Sequence, residues 1–375
     1  SLSGGPTISG ITTFSSPYLF TPPVGDTGSR PQSCPPGSLR FNTDSAKLEY
    51  YRGNTIGWVE IEAELTAPLG GGTGSNTGLG TRMVLMGGTD GSGVVDVIQF
   101  ITISTLGNAQ DFGNLSSARQ EGAAATNHLR GLYFGGDPSL NIIEFVTFSS
   151  LGNVTDFGDL LNGAKSGTSM SDRTRGVLQL GGPTANILEY VTFAQTGNAV
   201  DFGDMLTGGS AGSGFSSSTR GVYAIGSNSA NYKNIIEFIT ISTTGNGTDF
   251  GDLSAALIHR NAYSNATRGV FHSGYQYPAS PNFSNNIEYV TIASTGNTID
   301  FGDSLLGGFG CGGSSPTRGV AGGGYFANSP TGEVGGFTNI IDFIEIATTG
   351  NAVDFGDTTN VVRHIKGGSN GHGGL

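Results

Sequence analysis

The hydrophobic positions of this chain fall into short runs that recur at a nearly constant spacing. In the run NIIEFVTF, Val146 and Phe148 lie at even-numbered positions, and Ile143 and Phe145 lie at odd-numbered positions. Because neighbouring side chains of a strand point to opposite faces, this run predicts a strand that is buried on both faces. A sheet with one solvated face would show strict alternation of apolar and polar residues instead.

Each run belongs to a repeat that carries two further signatures. One is the triplet Asp-Phe-Gly, and the other is an arginine motif, mostly Thr-Arg-Gly, upstream of each run. The aspartates are Asp111, Asp156, Asp201, Asp249, Asp300 and Asp354; the phenylalanines are Phe112, Phe157, Phe202, Phe250, Phe301 and Phe355; the arginines are Arg82, Arg130, Arg175, Arg220, Arg268 and Arg318. The triplets are 45, 45, 48, 51 and 54 residues apart, so the chain contains six copies of one structural unit.

Each unit is predicted to be a small antiparallel sheet. One strand follows the arginine motif, the doubly apolar run is the second, and the third carries Asp-Phe-Gly after a Gly-Asn hairpin that needs positive φ. A fourth strand is expected in the Ser/Gly-rich link, where Arg119, Arg260 and Arg363 recur. The triplet phenylalanines are expected to fill the space between adjacent sheets, and full burial would stabilise by about 2–3 kcal/mol each.

These features predict an all-β fold with a six-bladed β-propeller over residues 81–375. A lone four-stranded sheet cannot bury both faces, so the repeats must stack, in an open solenoid or in a closed ring. The period favours propeller blades. The final VVRHIKGG segment is expected either to supply the last strand of the sixth blade or to close the first.

The chain before the repeats divides into three predicted segments. Residues 1–37 form an extended N-terminal arm, residues 38–63 a small β module with the strands LRFN, KLEYYR and GWVEI, and residues 64–80 a Gly-rich linker. Two alternatives remain open. The module could form a seventh blade, or part of the linker could be the outer strand of the first blade.

Composition narrows the class of function. The 375 residues include 65 glycines, and the net charge is -12, without the Lys/Arg clusters that nucleic-acid binding requires. No run is long and apolar enough for a membrane helix, and the start lacks the features of a signal peptide, so we expect synthesis in a cytoplasm. Cys34 and Cys311 lack metal-site spacing and are either paired or free.

The repeats resemble kelch-type propellers, with a strand that ends in Gly-Gly and an aromatic residue in the second strand. The triplet phenylalanine takes the place of the usual kelch tryptophan, because the only tryptophan is Trp58. The fuller pattern, NxIEYVTIATTGNAxDFGD followed by SSPTRGV, is similar to repeat-bearing structural proteins of marine tailed bacteriophages, especially those infecting cyanobacteria. The segment PPGSLRFNTDSAKLEYYRGNTIGWVEI resembles a short module of phage fibre and virion proteins.

The resemblance covers roughly residues 35–375 and implies a virion component. Its expected partners are other capsid or tail proteins, and it is expected to be a homo-oligomer or to be present in many copies on the particle. Asn114, where later repeats have Asp, and the variation at Tyr275 are departures from the pattern.

The recurring charged residues allow chemical alternatives. The triplet is also found in kinases, but six copies without a nucleotide loop exclude that interpretation. Aspartate pairs could bind calcium, or they could satisfy turn amides and arginines; the pairs are Asp156/Asp159, Asp201/Asp204, Asp249/Asp252, Asp300/Asp303 and Asp354/Asp357. The six motif arginines could capture anions, or could form ion pairs with Glu144, Glu189, Glu237, Glu288 or the triplet aspartates.

No catalytic, cofactor-binding or metal-binding residues are predicted. No singular carboxylate pair or nucleophile–histidine arrangement stands out. The histidines occupy what we interpret as unrelated repeat positions: His128, His259, His272, His364 and His372. We therefore expect a protein that is not an enzyme.

Three divergent loops carry the candidate interaction residues, because function in repeat proteins usually lies where repeats differ. The loops join the strand after the arginine motif to the apolar strand, and their aromatic residues are Tyr232, Tyr275, Tyr277, Phe283, Tyr325 and Phe326. The first hypothesis is a non-enzymatic phage structural protein anchored through its N-terminal region. The second is a fibre tip that binds a host glycan or protein through these loops. A third, a propeller enzyme, would lose turnover on changing one acidic residue.

Overall fold

A computed structural model describes residues 22–45, 47–60, 81–181, 186–228, 231–276, 283–325 and 336–375. Contacts divide the chain into two compact units, residues 1–66 and residues 67–375. Every regular element in the described ranges is a β-strand, and none is a helix. The prediction of an all-β protein is confirmed.

The N-terminal unit contains one four-stranded sheet whose strands lie in chain order. They are β1 (Val24–Gly25), β2 (Leu39–Asn42), β3 (Lys47–Tyr51) and β4 (Trp58–Glu60). The three predicted strands are present. The prediction of a three-stranded module after a wholly extended arm is corrected, because β1, inside that arm, pairs in parallel with β2.

A buried ion cluster lies in the middle of this sheet. The side chain of Glu49 is 0% exposed and lies 2.6 Å from Arg30 Nη2 and 3.3 Å from Arg40 Nε. The guanidinium of Arg40 also lies over the ring of Trp58, 5.7 Å from its centre. The positive charges of two arginines therefore compensate the negative charge of Glu49, which the alternation of side chains along β3 places on the buried face.

The second unit contains six sheets of four strands, and each spans one repeat. The first sheet contains β5 (Arg82–Met86), β6 (Val97–Thr102) and β7 (Gln110–Asn114); the second β8 (Ala123–Thr126), β9 (Arg130–Phe134), β10 (Leu140–Thr147) and β11 (Thr155–Ala164); the third β12 (Thr168–Ser171), β13 (Arg175–Gln179), β14 (Ile187–Thr192) and β15 (Val200–Asp204). The fourth contains β16 (Ser213–Ser216), β17 (Arg220–Ala224), β20 (Ile235–Thr240) and β21 (Thr248–Asp252), with a hairpin of β18 (Ser227–Asn228) and β19 (Asn231–Tyr232) between β17 and β20. The fifth contains β22 (Asn261–Ser264), β23 (Arg268–Tyr275), β24 (Phe283–Thr291) and β25 (Ile299–Asp303); the sixth β26 (Cys311–Ser314), β27 (Arg318–Gly322), β28 (Ile340–Glu345) and β29 (Val353–Asp357).

The fourth strand of the first sheet comes from the far end of the chain. It is β30 (Lys366–Ser369), which pairs antiparallel with β5 and places Lys366 opposite Met86. The segment VVRHIKGG was predicted either to supply the last strand of the sixth blade or to close the first. In the structure it completes the first sheet. We call β30, β8, β12, β16, β22 and β26 the inner strands; each contacts the inner strand of the next sheet, and β26 contacts β30.

The apolar strands are buried on both faces, as their parity predicted. In the second sheet, Ile143 packs in a cluster with Leu178 and Val191 of the third sheet. On the other face, Val146 and Phe148 pack with residues of the first sheet. Burial against two neighbours explains why the apolar residues of this strand do not alternate with polar ones.

The triplet phenylalanines lie between adjacent sheets, as predicted. Phe112 is 2% exposed and packs in a cluster with Tyr133 and Phe148 of the second sheet. Phe355 is 3% exposed and packs with Leu85 of the first sheet. The same arrangement occurs at the other four positions, so six apolar clusters join the sheets in succession and the sixth sheet to the first.

Candidate functional site

The six motif arginines bond neighbouring sheets together. Each guanidinium lies over an aromatic ring of its own sheet, 4.5–4.7 Å from the ring centre. Each also donates from Nη1 to a carbonyl oxygen of the next sheet: Arg82 to Phe148, Arg130 to Phe193, Arg175 to Ile241, Arg220 to Ile292, Arg268 to Ile346 and Arg318 to Ile103. The predicted ion pairs with the strand glutamates are therefore wrong: the acceptors are carbonyl oxygens, and the one carboxylate contact of these arginines among the described residues is that of Arg318 with Glu345.

The strand glutamates have other partners. Glu144 pairs with Arg119, and Glu288 pairs with Arg260, from links that precede inner strands. Glu237 accepts hydrogen bonds from the Leu206 amide at 2.9 Å and the Tyr223 hydroxyl at 2.8 Å. Glu189 is bonded in the same way by the amide of Leu161, at 3.0 Å. These carboxylates hold the links between sheets.

The triplet and the Gly-Asn hairpin form one junction between successive sheets. At the junction of the second and third sheets, Gly197 N donates to Phe157 O at 2.8 Å, and Asp159 N donates to Asn198 Oδ1 at 3.0 Å. The six triplet aspartates themselves are exposed at the surface. No group of three or more His, Cys, Asp or Glu side chains in the described residues is placed to hold a metal ion.

The three divergent loops lie at the same end of their sheets. Each joins the second strand of its sheet to the third, so it lies at the end where the inner strand begins. We call this end the loop edge. The connections 227–234, 275–285 and 325–339 all belong to it, as the sequence predicted.

Half-buried aromatic side chains meet at the loop edge. Tyr275 lies 5.3 Å from Phe283 and 5.4 Å from Phe309, measured between ring centres. Tyr325 stacks on Phe283 at 4.8 Å and also lies 5.3 Å from Phe309. The guanidinium of Arg363 lies 5.5 Å from the ring centre of Tyr325. We call these five residues the aromatic cluster.

The structure thus brings three of the six candidate interaction residues together and adds Phe309, which the sequence did not single out. Tyr232 lies in the β18–β19 hairpin of the fourth sheet. Tyr277 and Phe326 lie outside the described residues.

Six non-glycine residues with positive φ form a hydrogen-bonded cycle at the loop edge. Each stands two residues before an inner strand, with φ from 51° to 66°: Glu121, Ser166, Ala211, His259, Phe309 and His364. The amide of each donates to the carbonyl oxygen of the one before it at 2.6–3.2 Å, and Glu121 N donates to His364 O. We call them the six-residue ring.

The side chains of the ring differ and contact one another. Glu121 lies 2.7 Å from His364 Nδ1 and accepts a hydrogen bond from Ser166 Oγ at 2.6 Å. The ring of Phe309 stacks with those of His259, at 4.2 Å, and His364, at 4.9 Å, and the two imidazoles lie 5.4 Å from each other. One carboxylate, two imidazoles and one phenyl ring therefore meet where six repeats converge.

The ring environment shifts two pKa values. The hydrogen bond from His364 lowers the pKa of Glu121 from 4.5 to about 2, against the opposing effect of burial. Burial lowers the pKa of His259 well below 6.5, and electrostatic interactions with Lys366 and His364 lower it further. Glu121 is therefore ionised and His259 neutral at pH 7.

The interpretation that the histidines occupy unrelated repeat positions is wrong. His259 and His364 occupy the same position, two residues before an inner strand. His272 is fully buried between Tyr263 and Ser304. The histidine of the C-terminal segment, His372, lies against the inner strands, where its Nε2 is 2.8 Å from Thr126 O.

Comparison with known proteins adds no family. No protein-family model matches the chain, and no curated protein matches it. The described residues include no helix with the length and hydropathy needed to span a membrane. Cys34 and Cys311 are both free thiols in the structure.

Proposed function

We propose that residues 81–375 form a six-bladed, kelch-like β-propeller. Three sets of contacts support this: the apolar clusters, the arginine bonds and the six-residue ring each connect the sixth sheet back to the first. An open stack would leave its two end sheets with one uncovered face each. Completion of the first sheet by β30 joins the segment after the sixth repeat to the first repeat, which suits a closed ring.

We propose that this propeller is a non-enzymatic structural component of a phage virion. The proposal rests on the resemblance of the repeats and of residues 35–61 to phage virion proteins. The observation that favours a rigid scaffold is that the repeated polar groups are engaged between sheets, with six arginines bonded to carbonyl oxygens of the next sheet. Other capsid or tail proteins would be its partners, and the N-terminal region its anchor.

Quantification of the protein on purified phage particles tests this proposal. We expect a fixed copy number that survives a high-salt wash and a nuclease treatment. Phage that encode a chain without residues 1–63 should assemble particles that lack the protein, while the truncated chain stays soluble in the lysate. Absence of the full-length protein from intact particles would refute the virion assignment.

The aromatic cluster favours a second function, binding of a host glycan or protein at the loop edge. Aromatic side chains give large contact area at low cost in conformational entropy, and the Arg363 guanidinium and Glu121 carboxylate nearby provide polar contacts. Substitution of Tyr275 by Ala should then reduce binding of the purified protein to host cells. Leu151→Ala, at an exposed position between the third and fourth strands of the second sheet, is the matched control. Equal binding by both variants would exclude this surface.

A further inference from the structure

The chain contains three Asn-Gly pairs, Asn162-Gly163, Asn246-Gly247 and Asn370-Gly371. An asparagine followed by glycine is prone to lose its side-chain nitrogen as ammonia. Glycine has no Cβ atom to hinder the approach of its backbone nitrogen to the side-chain carbonyl carbon of the asparagine. Whether a given pair reacts in a folded protein then depends on how firmly the structure holds the two groups.

Two of the three pairs are held firmly. In the hairpin of the fourth sheet, Asn246 Oδ1 accepts a hydrogen bond from Asp204 N at 3.0 Å, and Gly247 N donates to Asp204 O at 2.7 Å. Asn370 is 2% exposed, and its Oδ1 atom accepts a hydrogen bond from Arg82 N at 2.8 Å. These bonds fix both asparagine side chains, and at Gly247 they also occupy the nitrogen that would attack.

The third pair lies at an irregular place in the second sheet. Asn162 and Gly163 are both exposed. The pairing of β10 with β11 passes from Leu140–Ala164 directly to Ile142–Asp159, so residues 160–163 of β11 stand opposite the single residue 141 of β10. Extra residues in such a bulge lie outside the regular hydrogen-bond ladder. The backbone around Asn162 is therefore less constrained than the backbone of the other two pairs.

The side-chain amide of Asn162 helps to join the second sheet to the third. Its Nδ2 atom donates to Glu189 Oε1 at 3.4 Å, beside the bond from the Leu161 amide to Glu189 Oε2 at 3.0 Å. In the fourth sheet the corresponding donor to Glu237 is the backbone amide of Thr207, at 2.9 Å. The link to the third sheet thus depends on a side-chain amide, where the link to the fourth uses a backbone amide.

We propose that Asn162 deamidates in the folded protein and that its products weaken the link between the second and third sheets. The backbone nitrogen of Gly163 bonds to Cγ of Asn162, and the side-chain nitrogen leaves as ammonia with the proton that the glycine nitrogen gives up. Water then opens the resulting succinimide ring at either of its carbonyl groups, which yields aspartate or isoaspartate. The reaction consumes water alone.

Both products remove the hydrogen bond from residue 162 to Glu189. Aspartate places a carboxylate where the amide donated, next to a glutamate that is 0% exposed. Burial already raises the pKa of Glu189, and a second negative charge beside it disfavours its ionised form further. Isoaspartate also lengthens the backbone of β11. Each product therefore replaces an attraction between the two sheets by a repulsion or a misfit.

Incubation of the full chain at pH 8, followed by peptide mass spectrometry, tests the reaction. We expect deamidation of Asn162 at least tenfold faster than that of Asn246 and of Asn370. In guanidinium, where the chain is unfolded, the three rates should lie within a few-fold of one another, because the pairs then differ only in their sequence context. Equal rates in the folded protein, or slower reaction at Asn162, would overturn the proposal.

Two variants test the effect on the link. Asn162→Asp reproduces one product, whereas Asn162→Gln keeps a side-chain amide at this position. At pH 7, Asn162→Asp should unfold at a lower guanidinium concentration than Asn162→Gln. Asn360→Asp, at an exposed position in the link before β30, is the control and should unfold like the unmodified protein. Equal stability of Asn162→Asp and Asn162→Gln would contradict the proposed weakening. None of these outcomes depends on whether the protein belongs to a virion.

Discussion

Alanine substitution of two glycines tests the junction between the Asp-Phe-Gly triplet and the Gly-Asn hairpin of the next sheet. Both glycines have positive φ, but a Cβ atom would meet the neighbouring sheet at only one of them. Gly158 and Gly197 face each other across the second and third sheets, with φ of 147° and 157°. A Cβ on Gly158 would lie 2.5 Å from Gly197 O, whereas a Cβ on Gly197 would meet no atom within 4 Å. Alanine therefore strains the backbone at both positions but forces the sheets apart at only one.

The difference in stability follows from the hydrogen bonds at the junction. Backbone strain at either position costs about 1–3 kcal/mol. Relief of the Gly158 overlap requires a shift of about 0.9 Å to reach an ordinary contact of 3.4 Å, which would stretch the 2.8 Å bonds from Gly197 N to Phe157 O and from Ala199 N to Asp159 O beyond hydrogen-bonding distance. With the Asn198 side-chain bond, three bonds of about 0.5–1.5 kcal/mol each are weakened, so Gly158→Ala should cost about 1.5–4.5 kcal/mol more than Gly197→Ala.

Guanidinium unfolding of both variants, followed by circular dichroism, measures this difference. Hydrogen exchange should show faster exchange at the Gly197 and Ala199 amides in Gly158→Ala, and nearly unchanged exchange in Gly197→Ala. Equal destabilisation by the two substitutions would refute the junction as the reason for the repeated triplet.

Three further predictions concern the arginine bonds, acid stability and the pairing of β30 with β5. Arg175→Met should lower the free energy of unfolding by about 2 kcal/mol, because it removes a charged hydrogen bond and a cation–π contact. Arg173→Met, at an exposed position two residues away, should lower it by less than about 0.5 kcal/mol in the same unfolding assay. The lowered pKa of His259 contributes stability that is present above pH 6.5 and is lost as the pH falls. The lowered pKa of Glu121 contributes stability that is lost as the pH falls from 4.5 to about 2. Glu121→Gln should therefore reduce the fall of the melting temperature with pH in the acid range. Deletion of residues 366–375 removes the pairing partner of β5, so proteolysis should then cut first within residues 81–114, and an unchanged digestion pattern would contradict closure of the first sheet.

The sequence predicted the sheets because their signals are local and repeated. Parity of the apolar run indicated burial on both faces, and the triplet phenylalanine indicated the contact between sheets; both predictions are confirmed. The arginine partners were predicted wrongly, because a repeated charge suggests a carboxylate and a carbonyl oxygen leaves no signal in the sequence. In the folded protein that carbonyl oxygen comes from a different repeat, as in the bond from Arg175 to Ile241.

The six-residue ring could not be predicted from residue type. Positive φ normally marks glycine or asparagine, and the ring contains neither. The cyclic hydrogen bonds impose this conformation, and they exist only when all six sheets are in place. The equivalence of His259 and His364 does not show when the repeats are aligned on the link arginines, because Arg260 follows His259 whereas Arg363 precedes His364.

The repeats separate two kinds of residue. Positions that agree in all six copies, such as Arg175 and Phe202, bond or pack one sheet against the next, and a change there alters stability. Residues at positions that differ among the copies do not make a contact that all six sheets share. If packing alone selected the first residue of each inner strand, a small side chain would suffice at all six. A half-buried lysine occupies that position in the first sheet, so packing alone does not explain Lys366.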